Sequence, residues 1–152
     1  MNRAEKAKDL FKQGYNCAQS VFLAFNDLTK IDEDTAKKIS APFGGGMGRL
    51  REVCGAFSGM VMVLGLVFYQ DSGSITAEKT SLYKREHELA EKFRERNGNL
   101  VCRDLLKGVK TEGSAAAEER TEKYYKVRPC VEIVANAAEI LEEYLKKHGI
   151  DC

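Results

Sequence analysis

The residues with the widest chemical reach are five cysteines, at positions 17, 54, 102, 130 and 152. A thiolate is a nucleophile and a metal ligand, and two thiols together form a two-electron reductant. No two of these cysteines make a CxxC pair, so spacing alone argues against a zinc ribbon or a thioredoxin-type motif. The opening residues, MNRAEKAKDL, are polar and run straight into helical periodicity, with no secretory or twin-arginine pattern. The cytoplasm is therefore the expected compartment. Stable disulfides are rare there, and five cysteines are more than packing requires.

The elements that carry these cysteines read as helices. Ala4, Ala7, Leu10 and Phe11 share one face of a first helix over residues 3 to 12, which Gly14 breaks. Asn16 is a good cap for a second helix with a stripe of Ala18, Val21, Phe22 and Phe25, which sets Cys17 at its first position. A third begins at Asp32 or Asp34, runs through Ala36 and Ile39 and ends before Pro42. Cys54 stands near the start of a long apolar helix. Thr76 is the expected cap of a helix bearing Leu82, Glu86, Leu89, Ala90 and Phe93, which Asn97-Gly98 stops. Asn99 then caps a brief helix from Leu100 to Leu106, with Cys102 at about its third position. Residues 109 to 123 have almost no apolar content and read as a loop or frayed helix. The last helix takes Pro129 at its first position and Cys130 at its second. It presents Val131, Val134, Ala138, Leu141 and Leu145 on one face, and Ile133, Ala137, Ile140 and Tyr144 on another, and closes at Gly149.

Cys17, Cys54, Cys102 and Cys130 thus fall in the first turns of four different helices. A helix start offers unpaired amide hydrogens and a partial positive charge, both of which stabilise a thiolate. Four such starts brought together would suit four thiolate sulfurs, and Arg51, Arg103 and Arg128, each within three residues of one of them, would reinforce the field.

Glycine is concentrated beside one of these starts. In the stretch FGGGMGRLREVCGAFSGMVMVLGLVFY, from Phe43 to Tyr69, Gly44, Gly45, Gly46 and Gly48 allow main chain to approach another group closely. Ala56 to Phe68 is apolar around nearly its whole circumference apart from Ser58, the mark of a helix buried on all sides. Gly55 and Gly59 lie on one helical face, where a neighbouring backbone or a cofactor can come close. No strand precedes the glycine loop and no Gly-Lys-Ser/Thr follows, so a nucleotide loop is not indicated. Backbone amides turned toward sulfur or another anion are the better use of Gly45 and Gly46.

The totals set limits. The chain of 152 residues is expected to fold as one domain, residues 1–152, with a full core. Two prolines, no tryptophan and abundant Ala, Glu, Lys and Leu point to an all-α bundle of six to seven helices around the buried central one. With 24 Lys and Arg against 23 Asp and Glu, the net charge is +1, and neither nucleic acid nor a membrane surface is the expected partner. The apolar run from Cys54 to Tyr69 falls short of the roughly 18 to 20 residues a membrane span needs. His87 and His148 are isolated and read as solvated, and no Ser-His-Asp order or carboxylate pair suggests an acid–base site.

The chain resembles the redox-active protein family named for its C_GCAxxG_C_C cysteine pattern. The residues that carry the resemblance are Gly14-Tyr15-Asn16-Cys17-Ala18, Phe43 to Gly48, Cys54-Gly55-Ala56-Phe57-Ser58-Gly59 with Val63-Leu64-Gly65, Cys102-Arg103-Asp104-Leu105-Leu106, and Cys130. The resemblance implies an all-helical domain and a redox role for Cys17, Cys54, Cys102 and Cys130, and leaves Cys152 outside the pattern as a free tail thiol. A related domain in split-Soret cytochromes is associated with an iron-sulfur centre, but this chain has no CxxCH haem attachment site.

Several readings follow. In the first, the four cysteines ligate an iron-sulfur cluster of the two-iron, two-sulfur type and pass single electrons to a partner oxidoreductase. In the second, two of them cycle between thiols and a disulfide without a cluster, which needs Cα atoms within about 7 Å. In the third, a structural zinc ion ties four helix ends together in an interaction module. A helical binding protein with incidental cysteines is the fourth. The apolar central helix and the two-faced last helix also leave room for a homodimer.

Overall fold

The computed structural model describes residues 1–111 and 113–152, and the described residues are helical, with no strand. Among the described residues ten α segments follow one another, with a 3-10 turn at Ala41–Phe43 besides, and six of the ten have seven residues or more: α1 (Arg3–Lys12), α2 (Cys17–Leu23), α4 (Glu33–Ser40), α6 (Gly55–Phe68), α7 (Ile75–Asn97) and α10 (Cys130–Lys147). Between them lie the short pieces α3 (Asn26–Thr29), α5 (Gly44–Met47, a turn with left-handed backbone at Gly45, Gly46 and Met47), α8 (Cys102–Leu105) and α9 (Glu122–Val127).

Local signals account for most of these limits. Asn2 and Glu5 make a capping box on α1, and Asn16 and Gln19 make another on α2, each satisfying two otherwise orphaned amides. Asp32 caps α4 through the Thr35 amide. Gly98, at φ 95°, ends α7 in the left-handed conformation that glycine adopts without penalty. Three expectations shift. Ser74 rather than Thr76 caps α7, since its hydroxyl accepts from the Ala77 amide. Pro129 is the cap of α10 and Cys130 its first residue. A helix, α9, starts at Glu122 inside the stretch read as loop and carries Tyr124 and Tyr125 into the fold.

The core forms where α1, α2, α6, α7 and α10 meet. Phe11, Phe22, Phe25, Phe93, Met60 and Leu141 are among its fully buried side chains. The N-terminal half of α6 is the closely wrapped part: Gly55, Ala56, Phe57, Gly59, Met60, Val63 and Leu64 are buried. All-round burial stops there. Val61, Met62, Val67 and Phe68 are only half-buried and Leu66 is 46% exposed. α10, with nine buried residues, shares the central place. No described helix is long and apolar enough to cross a membrane.

Candidate functional site

Three of the hallmark cysteines open a helix: Cys17 is the first residue of α2, Cys102 of α8 and Cys130 of α10. Cys54 is the cap residue of α6. The regularity expected from sequence is therefore tighter than the spacing alone indicated, and Cys102 is a first residue rather than a third. The reason lies in the preceding segment. Val101 pairs with Val53 in an isolated antiparallel bridge, the Cys54 amide donates to Leu100 O at 2.9 Å and the Cys102 amide to Glu52 O at 2.6 Å. Leu100 and Val101 are thereby drawn out of any helix. Side chains alternate along extended backbone, so pairing Val53 with Val101 puts Cys54 and Cys102 together on the opposite side.

That side is a cavity of 250 Å³ that all four cysteines line. Its floor is the glycine segment. From Gly45 to Arg49 every residue has φ between 60° and 72°, and Arg51 follows at 63°, so the chain makes a left-handed turn containing three residues that are not glycine. Each such residue costs about 1–2 kcal/mol. The turn is held by amide bonds from Arg51 to Gly45 O at 3.2 Å and from Glu52 to Gly46 O at 2.9 Å. At Gly46 a Cβ would lie 2.6 Å from Cys102 Cβ and 2.7 Å from the Glu52 nitrogen. At Gly55 it would lie 3.2 Å from Cys17 Cβ. Gly45, Gly46 and Gly55 thus border the cavity and let the cysteine-bearing segments close on one another. Gly59 does something else: it faces α2, where an added Cβ would stand 2.8 Å from Ala18 O, and permits close helix packing.

The four sulfurs differ. Interaction with Cys130, with burial added, raises the pKa of Cys17 well above its ordinary value, and the same interaction lowers that of Cys130 to about 7. Burial works against the Cys130 thiolate, while Arg128, Arg120 and Arg51 favour it. Burial pushes Cys54 up to about 12, despite the Ala56 and Phe57 amides that turn toward its sulfur. Cys102 is also raised by burial, partly offset by Arg51, whose Nη1 lies 3.7 Å from its sulfur. Cys152 is elsewhere, half-buried against the core near Arg3 and Glu142.

Arg51 and Arg128 line the cavity as expected, but Arg103 turns outward to an exposed ion pair with Glu52. The residues that sequence reasoning missed lie in 113–121, the stretch with least apolar content. Ala115, Ala117, Glu118 and Arg120 line the cavity, on a strap that runs along its wall. The Glu118 carboxylate bridges Arg49, at 3.1 Å, and Arg128. Arg120 donates to Phe11 O at 2.9 Å and Tyr15 O at 3.1 Å, with its guanidinium 4.2 Å from the Phe11 ring centre. The only sequence sign was an arginine and an acid close ahead of two tyrosines. His87 and His148 are exposed, as expected.

No group of three His, Cys, Asp or Glu side chains among the described residues is gathered as a single metal ion requires. All four hallmark cysteines nonetheless line one cavity beside Arg49, Arg51, Arg120 and Arg128. Neither curated proteins nor solved structures yield a match to the chain. Among family sequence models, residues 15–144 match "Putative redox-active protein (C_GCAxxG_C_C)", so that the cavity cysteines lie within the matched span and the chain belongs to that family.

Proposed function

We propose that the protein is a redox carrier in which Cys17 and Cys130 are the working couple, cycling between a thiol–thiolate pair and a disulfide. The observation that carries this reading is that Cys17 and Cys130 line the same cavity, where their interaction raises the pKa of one and lowers that of the other. Cys130 supplies the nucleophile, since the thiolate is the reactive form. Cys17 keeps its proton until its own sulfur is needed. Closing the disulfide releases two electrons and the proton that Cys17 still carries, and the electrons pass to an acceptor. Arg51, Arg120 and Arg128 hold the negative charge on Cys130 before that step. Cys54 and Cys102, the more buried pair, keep their protons and form the inner wall.

A second reading has its own support. Cys17, Cys54, Cys102 and Cys130 could together hold an iron-sulfur cluster, two-iron two-sulfur by the four-thiolate count, with the arginines balancing its negative charge. When bound, such a cluster supplies one-electron transfer, and the partner would be another electron-transfer protein or oxidoreductase. Either use is compatible with a cytoplasmic protein.

One preparation made without oxygen tests both. Iron, sulfide and zinc are measured, an absorption spectrum is taken, and free thiols are counted before and after mild oxidation with peptide mapping of any bridge. A colourless protein that forms a Cys17–Cys130 disulfide is the expected result. Absorption between about 400 and 600 nm with matching iron and sulfide, lost in Cys54→Ser, would transfer the assignment to the cluster. A colourless protein with no bridge between Cys17 and Cys130 would end the proposal of a working couple.

A further inference from the structure

Charge is unevenly distributed around the cavity. Arg49, Arg51, Arg120 and Arg128 line it, and among the described residues the only carboxylate on its wall is Glu118. Glu118 is engaged with Arg49 and Arg128, and Arg120 is tied to two carbonyls and to aromatic rings. Arg51 differs from these. Its backbone is held at φ 63°, its Nη1 rests 3.7 Å from the Cys102 sulfur, and no ion pair to a carboxylate is formed by it among the described residues. A guanidinium facing a partly enclosed site is a ready counterpart for an anion, and presents a planar fork of donors suited to a carboxylate.

Access and size restrict what that anion is part of. Cys54 and Cys102 are buried, Cys17 and Cys130 are half-buried, and the strap forms part of the wall, so the loop of a folded protein has little room. The 250 Å³ of space suits a molecule of roughly eight to ten non-hydrogen atoms. We propose that the cavity takes a small disulfide bearing an acid group, with that acid on Arg51 and its sulfurs against Cys130. This inference rests on Cys17 and Cys130 being the working couple.

The chemistry balances as thiol–disulfide exchange. The Cys130 sulfur attacks one sulfur of the substrate, a mixed disulfide forms, the substrate S–S bond breaks and the first half leaves as a thiolate. The Cys17 sulfur then attacks the Cys130 sulfur, its proton goes to a departing thiolate, and the second half leaves. The protein has lost two electrons as its disulfide forms. The substrate disulfide has gained them as two small thiols.

Three small disulfides of similar size and different charge test the inference on the full-length reduced protein: dithiodiglycolate, hydroxyethyl disulfide and cystamine. The rate of Cys17–Cys130 bridge formation is measured with each. Every rate is divided by that of the same reagent with free mercaptoethanol, which removes differences in intrinsic reactivity. We expect the anionic reagent to lead the cationic one by about tenfold or more, with an advantage that shrinks as salt is added. Arg51→Gln should abolish the preference and Arg51→Lys should retain most of it, with helicity checked in both. Equal normalised rates across the three reagents, unaffected by salt, would overturn the choice of substrate and leave the couple standing. Failure of every reagent to bridge Cys17 and Cys130, while each still reacts with mercaptoethanol, would instead overturn the couple itself.

Discussion

Cys17 and Cys130 line one cavity and shift each other's acidity in opposite directions, although they open helices at opposite ends of the chain. The interaction makes Cys130 the base and Cys17 the acid. Alkylation of Cys130 by iodoacetamide should therefore rise with pH through an inflection near 7, because the thiolate is the reacting form. In Cys17→Ala the interaction is gone, and the inflection should move up toward the ordinary thiol range. Peptide-resolved alkylation rates between pH 5 and 9 measure both. An inflection at the same pH in the two proteins would show that the arginines, and not Cys17, set the reactivity.

Gly46 should be the least replaceable glycine at the site. An alanine Cβ there would lie 2.6 Å from Cys102 Cβ, 2.7 Å from the Glu52 nitrogen and 2.9 Å from Arg51 Cα, at φ 71°. Two of these three atoms are backbone and cannot swing aside. Gly46→Ala should lower the unfolding free energy by about 2–4 kcal/mol. Gly73→Ala is the matched control, since φ is 69° but nothing stands within 4 Å, and strain alone should cost about 1 kcal/mol. Urea midpoints for the two variants give the comparison. Equal losses would mean that the crowding at Gly46 relaxes without cost.

How much of this was open to a reading of the chain depends on the range of the force involved. Asn16, Asp32, Gly98 and Pro129 act on neighbours within a few positions, so the helix starts at Cys17 and Cys130 were legible within a residue. The start at Cys102 was displaced because its neighbour Val101 pairs with Val53, a contact that local propensity does not contain. Positive φ at Met47, Arg49 and Arg51 was equally hidden, since non-glycine residues rarely accept it. The strap was missed for a related reason. Its anchors are charges and ring faces, and Arg120 reaches Phe11 across a separation of 109 residues. Apolar periodicity, the main guide to buried structure, registers none of these contacts. The same limitation applies to α6, whose apolar sequence was uniform while its covering was not.

Glu118 should govern access to the cavity. It is the carboxylate shared by Arg49 and by Arg128, itself only 8% exposed, and it holds the strap to the wall. Glu118→Gln keeps the shape and removes the charge. Discounted for partial exposure, the change should cost roughly 1–3 kcal/mol. It should also raise amide exchange in residues 113–121 and quicken alkylation of Cys102, whose burial now slows it. Exchange and alkylation followed by mass spectrometry on the same samples would decide. Unchanged exchange in 113–121 would show that Arg120 and its aromatic partners suffice to hold the strap.

Cys54 should make the protein sensitive to alkali in a way that one substitution removes. Burial raises its pKa from 9.0 to about 12, so the native state favours the thiol more strongly than the unfolded chain does. The folded group binds its proton more tightly, and its contribution to stability is fully present below pH 9. As pH rises from 9 toward 12 the unfolded chain ionises first and the contribution is lost, with a slope on the order of 1 kcal/mol per pH unit. Cys54→Ala keeps a small apolar side chain there and has no thiol to ionise. Under reducing conditions, the fall in unfolding free energy between pH 8.5 and 10.5 should therefore be shallower in the variant than in the parent. Parallel curves would show that water reaches the Cys54 sulfur at the start of α6, and that the inner wall of the cavity is wetter than its packing indicates.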